Sequence, residues 1–268
     1  MPFQYSFFQF ALLGLLLISI ASAMIGTYIL TRRLVAISGG ITHACFGGLG
    51  LGYFLGISPI AMASVFAIVS SLGVEWISKK HKVREDSAVA VIWAFGMAIG
   101  VIFVFLTPGY VPELNSFLFG NILTINIKDI YVFTIFTSLL IAFFLWKFRS
   151  IVTCAFDSDF ARVSGLPVTF INMTMTIMTA ICIVLTIRLV GVMLLMSMLS
   201  LPIMTAEVFI HSFKRLIFAS VGISLVASVS GLMLSAVIEV PCSALIVMIL
   251  AIMYLIAKIV NAILSKMQ

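Results

Sequence analysis

Apolar residues run along this chain in long blocks, and charged residues mark where each block ends. After Arg32 and Arg33 no charge recurs until Glu75. Further charge-free stretches run from Asp86 to Glu113, Asp129 to Lys147, Arg162 to Arg188, Arg188 to Glu207, Arg215 to Glu239 and Glu239 to Lys258. A helix crossing a hydrocarbon core about 30 Å thick takes roughly 20 apolar residues. Each gap therefore accommodates one crossing, and the gap after Arg33 accommodates two, joined near Gly56, Ser58 and Pro59. The pattern predicts helices over residues 9–31, 34–56, 59–77, 87–107, 129–147, 167–187, 189–212, 216–238 and 241–262.

Composition supports this reading. The chain has 268 residues, 63% of them hydrophobic and only 9% charged, where a soluble domain carries about 25% charge. It is expected to be an all-α, polytopic helical membrane protein with eight or nine transmembrane helices. One transmembrane domain covers residues 1–268, with no separate soluble domain. The excess of 15 Lys and Arg over 9 Asp and Glu speaks for orientation in the bilayer rather than for nucleic acid. If Arg32 and Arg33 are cytoplasmic, so are Lys79, Lys80, Lys82, Arg84, Lys147, Arg149, Arg162, Lys214, Arg215, Lys258 and Lys266, leaving only Lys128 and Arg188 outside. That puts the N-terminus outside and the C-terminus inside if all nine segments span; the first can alternatively lie on the membrane surface. It reads as a retained helix rather than a cleaved signal peptide. Cys45, Cys154, Cys182 and Cys242 are far apart, which indicates neither a zinc knuckle nor a disulfide framework.

Two segments interrupt the pattern. Over residues 108–128, Pro108, Gly109, Pro112 and Glu113 break any helix, and the apolar run 117–123 is too short to cross. A re-entrant or surface-lying outer element fits, a partly buried loop being the other reading. On the inner side, Asp157 and Asp159 stand where a helix begins, and Gly165 with Pro167 where it stops, which predicts a short capped helix near 157–165. It serves either as a docking surface or as a simple connector.

An ionisable group inside the bilayer costs at least about 2.5 kcal/mol on insertion scales, so each needs a reason. His43 lies ten residues from Arg33, about 15 Å from the inner surface. Its helix carries the small-xxx-small pairs Gly40/Ala44 and Gly48/Gly52, which permit close backbone approach. Neutral imidazole is a common ligand for zinc and other borderline metals; the competing reading is a hydrogen bond to a neighbouring carbonyl. Glu207 and His211, four apart on one face of the seventh predicted helix, can meet or share a ligand, or can simply pair with Lys214 and Arg215. Glu239 precedes Pro241 in an outer turn, either meeting an arriving cation or merely exposed. No G-x-x-x-x-G-K-[ST], H-E-x-x-H or G-x-S-x-G run occurs, so no catalytic centre is expected and any ATP is used by another subunit.

The ordered motifs Arg32-Arg33-Leu34, Gly39-Gly40-Ile41-Thr42-His43-Ala44, Glu85-Asp86-Ser87-Ala88, Phe117-Leu118-Phe119-Gly120-Asn121-Ile122-Leu123, Phe156-Asp157 to Gly165-Leu166-Pro167, Val190-Gly191-Val192 to Leu201-Pro202 and Glu239-Val240-Pro241 resemble, across residues 30–258, the membrane permeases of zinc, manganese and iron ABC importers. The resemblance implies a permease homodimer in a prokaryotic plasma membrane. Its partners would be a cytoplasmic ABC ATPase dimer, engaged through Asp157, Asp159, Phe160, Arg162 and Gly165, and an extracytoplasmic metal-binding protein. His43 matches the family's intramembrane metal-site histidine. The aspartate common four residues earlier is Gly39 here, so half of the usual His/Asp pair is missing. Glu239 corresponds to an acidic position that is often Asp. Glu207 has no family counterpart and is a candidate replacement carboxylate.

The implied function is ATP-driven import of a divalent transition-metal ion, zinc or manganese first and iron next, by alternating access. The ion would be held only transiently, near His43, Glu207, Glu239 and His211, with no permanently bound cofactor. The alternatives are a permease for a metal chelate or cobalamin-like ligand, and a proton-coupled secondary transporter working through Glu207 and His211.

Overall fold

A computed structural model describes residues 6–81, 85–108, 120, 122, 125–238 and 240–266. Among them no strand occurs, and the helices are α1 (Ser6–Thr31), α2 (Val35–Leu55), α3 (Pro59–His81), α4 (Glu85–Leu106), α5 (Ile127–Phe156), α6 (Ser158–Val163), α7 (Val168–Glu207), α8 (Phe213–Ile238) and α9 (Cys242–Leu264). They fall into two compact units. One comprises Met1–Leu30, Asn115–Phe148 and Leu189–Gln268, the other Thr31–Leu114 and Arg149–Arg188.

The second unit is built around α2. This helix ends at Gly56, whose φ of 66° lets its N–H reach back to the carbonyls of Gly52 and Tyr53, a left-handed cap that glycine adopts without a Cβ clash. The chain returns as α3, antiparallel to α2: Gly48 lies against Met62 and Ala63, and Gly52 against Pro59. α4 then runs parallel to α2, pairing Gly40 with Val89, Gly47 with Gly96, and Gly50 with Gly100. Farther along, Phe54 and Phe103 meet with ring centroids 5.2 Å apart. Lipid tails are as apolar as Leu, so such helices associate through close van der Waals fit. The two small-residue pairs of α2 serve different neighbours, Gly40/Ala44 facing α4 and Gly48/Gly52 facing α3.

In the first unit α1 is buried along most of its length and is long and apolar enough to cross a membrane. Gly26 presses against the Leu199 carbonyl, and Leu30 packs beside Ile203, Ala206 and Leu216. α8 and α9 close on each other where Gly231 meets Ile246. Several hydroxyls inside spans bond their own helix, as Ser19 does to Leu15 O at 2.7 Å and Thr205 to Leu201 O at 2.7 Å; without water in the bilayer core these are the nearest acceptors. α5 begins at Ile127 rather than at the predicted 129. Asn126 Oδ1 accepts from Lys128 N at 2.9 Å and Asp129 N at 3.2 Å, and Asp129 Oδ2 accepts from Asn126 N at 3.3 Å, a reciprocal cap.

Several predicted boundaries shift. α5 is kinked where the predicted span ends, its backbone non-helical at Lys147 (φ −114°, ψ 21°), and a second helical stretch follows to Phe156. The stretches 167–187 and 189–212 follow one another across a kink within Val168–Glu207. The backbone breaks at Gly191 (φ 80°, ψ 172°), not at Arg188. A charge marks polarity, but that dihedral pair is open essentially to glycine alone. α7 also ends at Glu207 rather than 212. Seven helices among the described residues are long and apolar enough to cross a membrane. The difference from eight or nine lies in α3, whose apolar part is only Pro59–Val74, and in α7, which counts once. The outer element expected over 108–128 lies mostly outside the described residues. Gly120 within it (φ 59°) packs against the Val190–Gly191 backbone.

Candidate functional site

His43 lies in the middle of α2, half-buried, with its ring flat on the indole of Trp93 in α4. The centroids are 4.4 Å apart and the planes 4° from parallel. Local sequence explains the placement. The contacts of Gly40 with Val89 and Ala44 with Gly96 bring α2 and α4 together around position 43, and the next aromatic on α4 receives the imidazole. Such ring pairs contribute about 0.5–1.5 kcal/mol beyond area burial. The flanking polar side chains turn onto α2 itself, Thr42 Oγ1 donating to Ser38 O at 2.6 Å and Cys45 Sγ to Ile41 O at 3.1 Å. Among the described residues no carbonyl accepts a hydrogen bond from His43, so the competing carbonyl-bonded reading has no partner there.

Trp93 was not legible as a site residue. An aromatic in an apolar span carries no spacing signal, and only the parallel run of α2 and α4 sets it over the imidazole.

Glu207 is the last residue of α7 and is exposed. The chain turns immediately afterwards, with Phe209 and Ile210 N–H donating to Ala206 O, so His211 falls in the exposed turn before α8. The pair does not share a helical face as the four-residue spacing predicts, because the helix stops at the first of the two. Glu239 lies outside the described residues. Among the described residues no three His, Cys, Asp or Glu side chains converge in a metal-holding group.

The short helix near 157–165 is present as α6. Asp157 caps it, Oδ1 accepting from Asp159 N at 3.0 Å and Phe160 N at 2.9 Å. Gly165 (φ 75°) ends it while Leu166 N donates to Ala161 O at 3.0 Å. Arg162 and Asp159 approach at 3.9 Å, but both are largely exposed, so their ion pair contributes little. Ala161 is buried, whereas Phe156 (65%), Phe160 (61%) and Val163 (89%) are exposed. The helix thus presents an apolar surface outward on a backbone held by its own cap.

A model of the ABC 3 transport family matches residues 4–261. The chain belongs to that family. Family membership reaches further along the chain than the motif resemblance over residues 30–258, and with the seven apolar helices among the described residues it makes this a multi-pass membrane protein of permease type. Among family members, a probable metal transport system membrane protein of Chlamydia pneumoniae is 36% identical over 229 residues, covering 83% of this chain and 78% of that protein. The manganese transport system membrane protein MntC of Listeria monocytogenes is 26% identical over 254 residues, covering 95% and 90%. The fold is similar to that of PsaBC from Streptococcus pneumoniae in complex with Fab, with TM-score 0.83, 26% identity, and coverage of 94% of this chain and 91% of that one.

Proposed function

We propose that the chain is the path-forming membrane subunit of an ATP-driven importer of divalent transition-metal ions. The observation that carries this reading is His43, an imidazole midway along a glycine-packed helix, held flat on Trp93 with no carbonyl bonded to it among the described residues. A polar ring left without a hydrogen bond at that depth costs free energy, and a passing cation offsets that cost. The names of the Chlamydia and Listeria relatives support a metal cargo. Imidazole suits zinc and iron, whereas manganese favours oxygen donors. Zinc therefore fits His43 best. Binding stays weak because a pathway must release what it holds.

The energy enters through a separate cytoplasmic ATPase dimer, since this chain has no phosphate-cradling run. α6, with Phe160 and Val163 outward, is the proposed contact. A second copy of the chain completes the path, and an extracytoplasmic metal-binding protein delivers the ion.

The test is uptake into proteoliposomes holding the chain with its ATPase, using radioactive zinc against competing manganese and iron. ATP-dependent uptake that His43→Ala abolishes, with ATPase association intact, is the expected result. Unchanged kinetics in His43→Ala would sink the site, and uptake driven by a proton gradient without ATP would sink the importer.

A further inference from the structure

Within the first unit, α1, α5 and α8 border a cavity of about 580 Å³. Its wall is almost wholly apolar, with Met24, Phe144, Leu145, Phe148 and Phe218 among the lining residues. Among the described lining residues only Lys214 is charged. The lining on α8 runs from Lys214 to Val221, a helical rise of about 10 Å. Leu145 (78%) and Phe218 (68%) are exposed, so the cavity is a groove open at its side rather than a closed void.

Two features define what fits. The first is charge at one end. Lys214 is followed by Arg215, both exposed. Lys147, next to the lining residue Phe148, holds its ammonium over the Trp146 ring at 4.4 Å from the centroid. Phe148 and Phe213 meet edge to face at 6.1 Å, which braces the start of α8 where two of these cations sit. All three belong to the basic set that the positive-inside asymmetry assigns to the cytoplasmic surface. The second feature is that the other described lining residues are all apolar. A soluble metabolite in the groove would leave its polar groups without partners, whereas an acyl chain has none to satisfy. A long apolar slot entered from a cluster of cations at the cytoplasmic interface matches one molecule in its surroundings.

We propose that this groove binds an anionic phospholipid of the cytoplasmic leaflet, one acyl chain lying along α1, α5 and α8 and the phosphate on Lys214, with Arg215 and Lys147 adding to the local positive field. Basic pockets between membrane helices on the cytoplasmic side recognise anionic headgroups in this way.

The experiment is native mass spectrometry of the detergent-solubilised full chain titrated with phosphatidylglycerol or phosphatidylcholine. It is paired with photocrosslinking by a phosphatidylglycerol that carries the reactive group on its acyl chain. The wild-type chain is expected to retain phosphatidylglycerol preferentially, with crosslinks concentrated on residues 141–148 and 214–221. Lys214→Gln should lower retention by about fivefold. Val221→Trp, which keeps every charge and fills the slot, should lower it as well. Equal retention of the two lipids, retention unaltered in either variant, crosslinks spread evenly over the lipid-facing helices, or crosslinks from Val221→Cys to a second copy of the chain instead of to lipid would each overturn the proposal. Thermal unfolding of each variant shows whether a loss reflects the groove or the fold. Should Val221→Trp unfold early, the bulkier lining variant Leu145→Trp repeats the measurement from the other wall.

Discussion

The imidazole of His43 on α2 lies face to face with the indole of Trp93 on α4, with centroids 4.4 Å apart and planes within 4° of parallel. A cation on the imidazole draws electron density from that ring, and the electron-rich face of the indole favours the result. Under the proposed metal role of His43, the stack would orient the ring and stabilise its loaded form. Trp93→Ala should raise the half-saturating metal concentration about two- to tenfold, with Trp93→Phe recovering most of the loss. Initial-rate uptake checks this. A fall in the amount of folded protein with unaltered half-saturation would make the stack purely structural.

The same helix pair depends on missing side chains. A Cβ at Gly96 would stand 2.6 Å from Ala44 Cα, so Gly96→Ala must separate α2 from α4. The expected cost is about 1–3 kcal/mol, read as a lower unfolding temperature in detergent, together with weakened zinc uptake because the backbone spacing also sets the His43–Trp93 overlap.

α6 holds its shape through one carboxylate. Asp157→Ala removes both capping bonds and should cost about 1 kcal/mol locally, so amides 158–163 should exchange about fivefold faster while the membrane helices keep their protection. Phe160→Asp leaves that cap untouched and places a charge on the exposed surface. It should reduce co-purification of the ATPase without lowering the unfolding temperature.

Gly191 is the break in α7. Any other residue at φ 80°, ψ 172° is strained by about 1–3 kcal/mol, and the packed Gly120 backbone leaves no room to relax. Gly191→Ala should destabilise the folded chain by that amount, whereas Gly222→Ala, where a Cβ meets open space, should be within about 0.5 kcal/mol of wild type. Denaturation of the two variants side by side makes the comparison.

Glu207 and His211 are exposed at the end of α7 and in the turn beyond it. Glu207→Gln and His211→Ala should each leave stability within about 0.5 kcal/mol and zinc uptake within about twofold of wild type, the latter following from the assignment of zinc to His43. Lost uptake at unchanged stability would move proton or metal handling to this turn and revive the secondary-transport alternative.

Much of the fold is legible in the sequence because a bilayer imposes a one-dimensional constraint. Charges could be counted along the chain, and the gaps between them give the spans from α1 to α4 and those of α8 and α9 within a few residues. The α6 cap was equally readable, since Asp157 and Gly165 act on backbone groups only a few positions away. The exceptions share a cause. Arg188 looked like a boundary and Gly191 is one, because polarity and backbone direction are separate properties and only the second changes where the helix breaks. Glu207 and His211 had the spacing of a shared face but lost it when the helix ended between them.

By itself, then, the order of residues determined that the chain is helical and membrane-spanning, and that one imidazole falls in the middle of an apolar helix. Each of these follows from transfer energies and local backbone bonds, which act residue by residue. Tertiary structure alone decided what that imidazole touches and where an apolar groove meets a lysine. Those depend on which faces of separate helices come together, and glycines without a Cβ set that closeness through contacts between residues tens of positions apart.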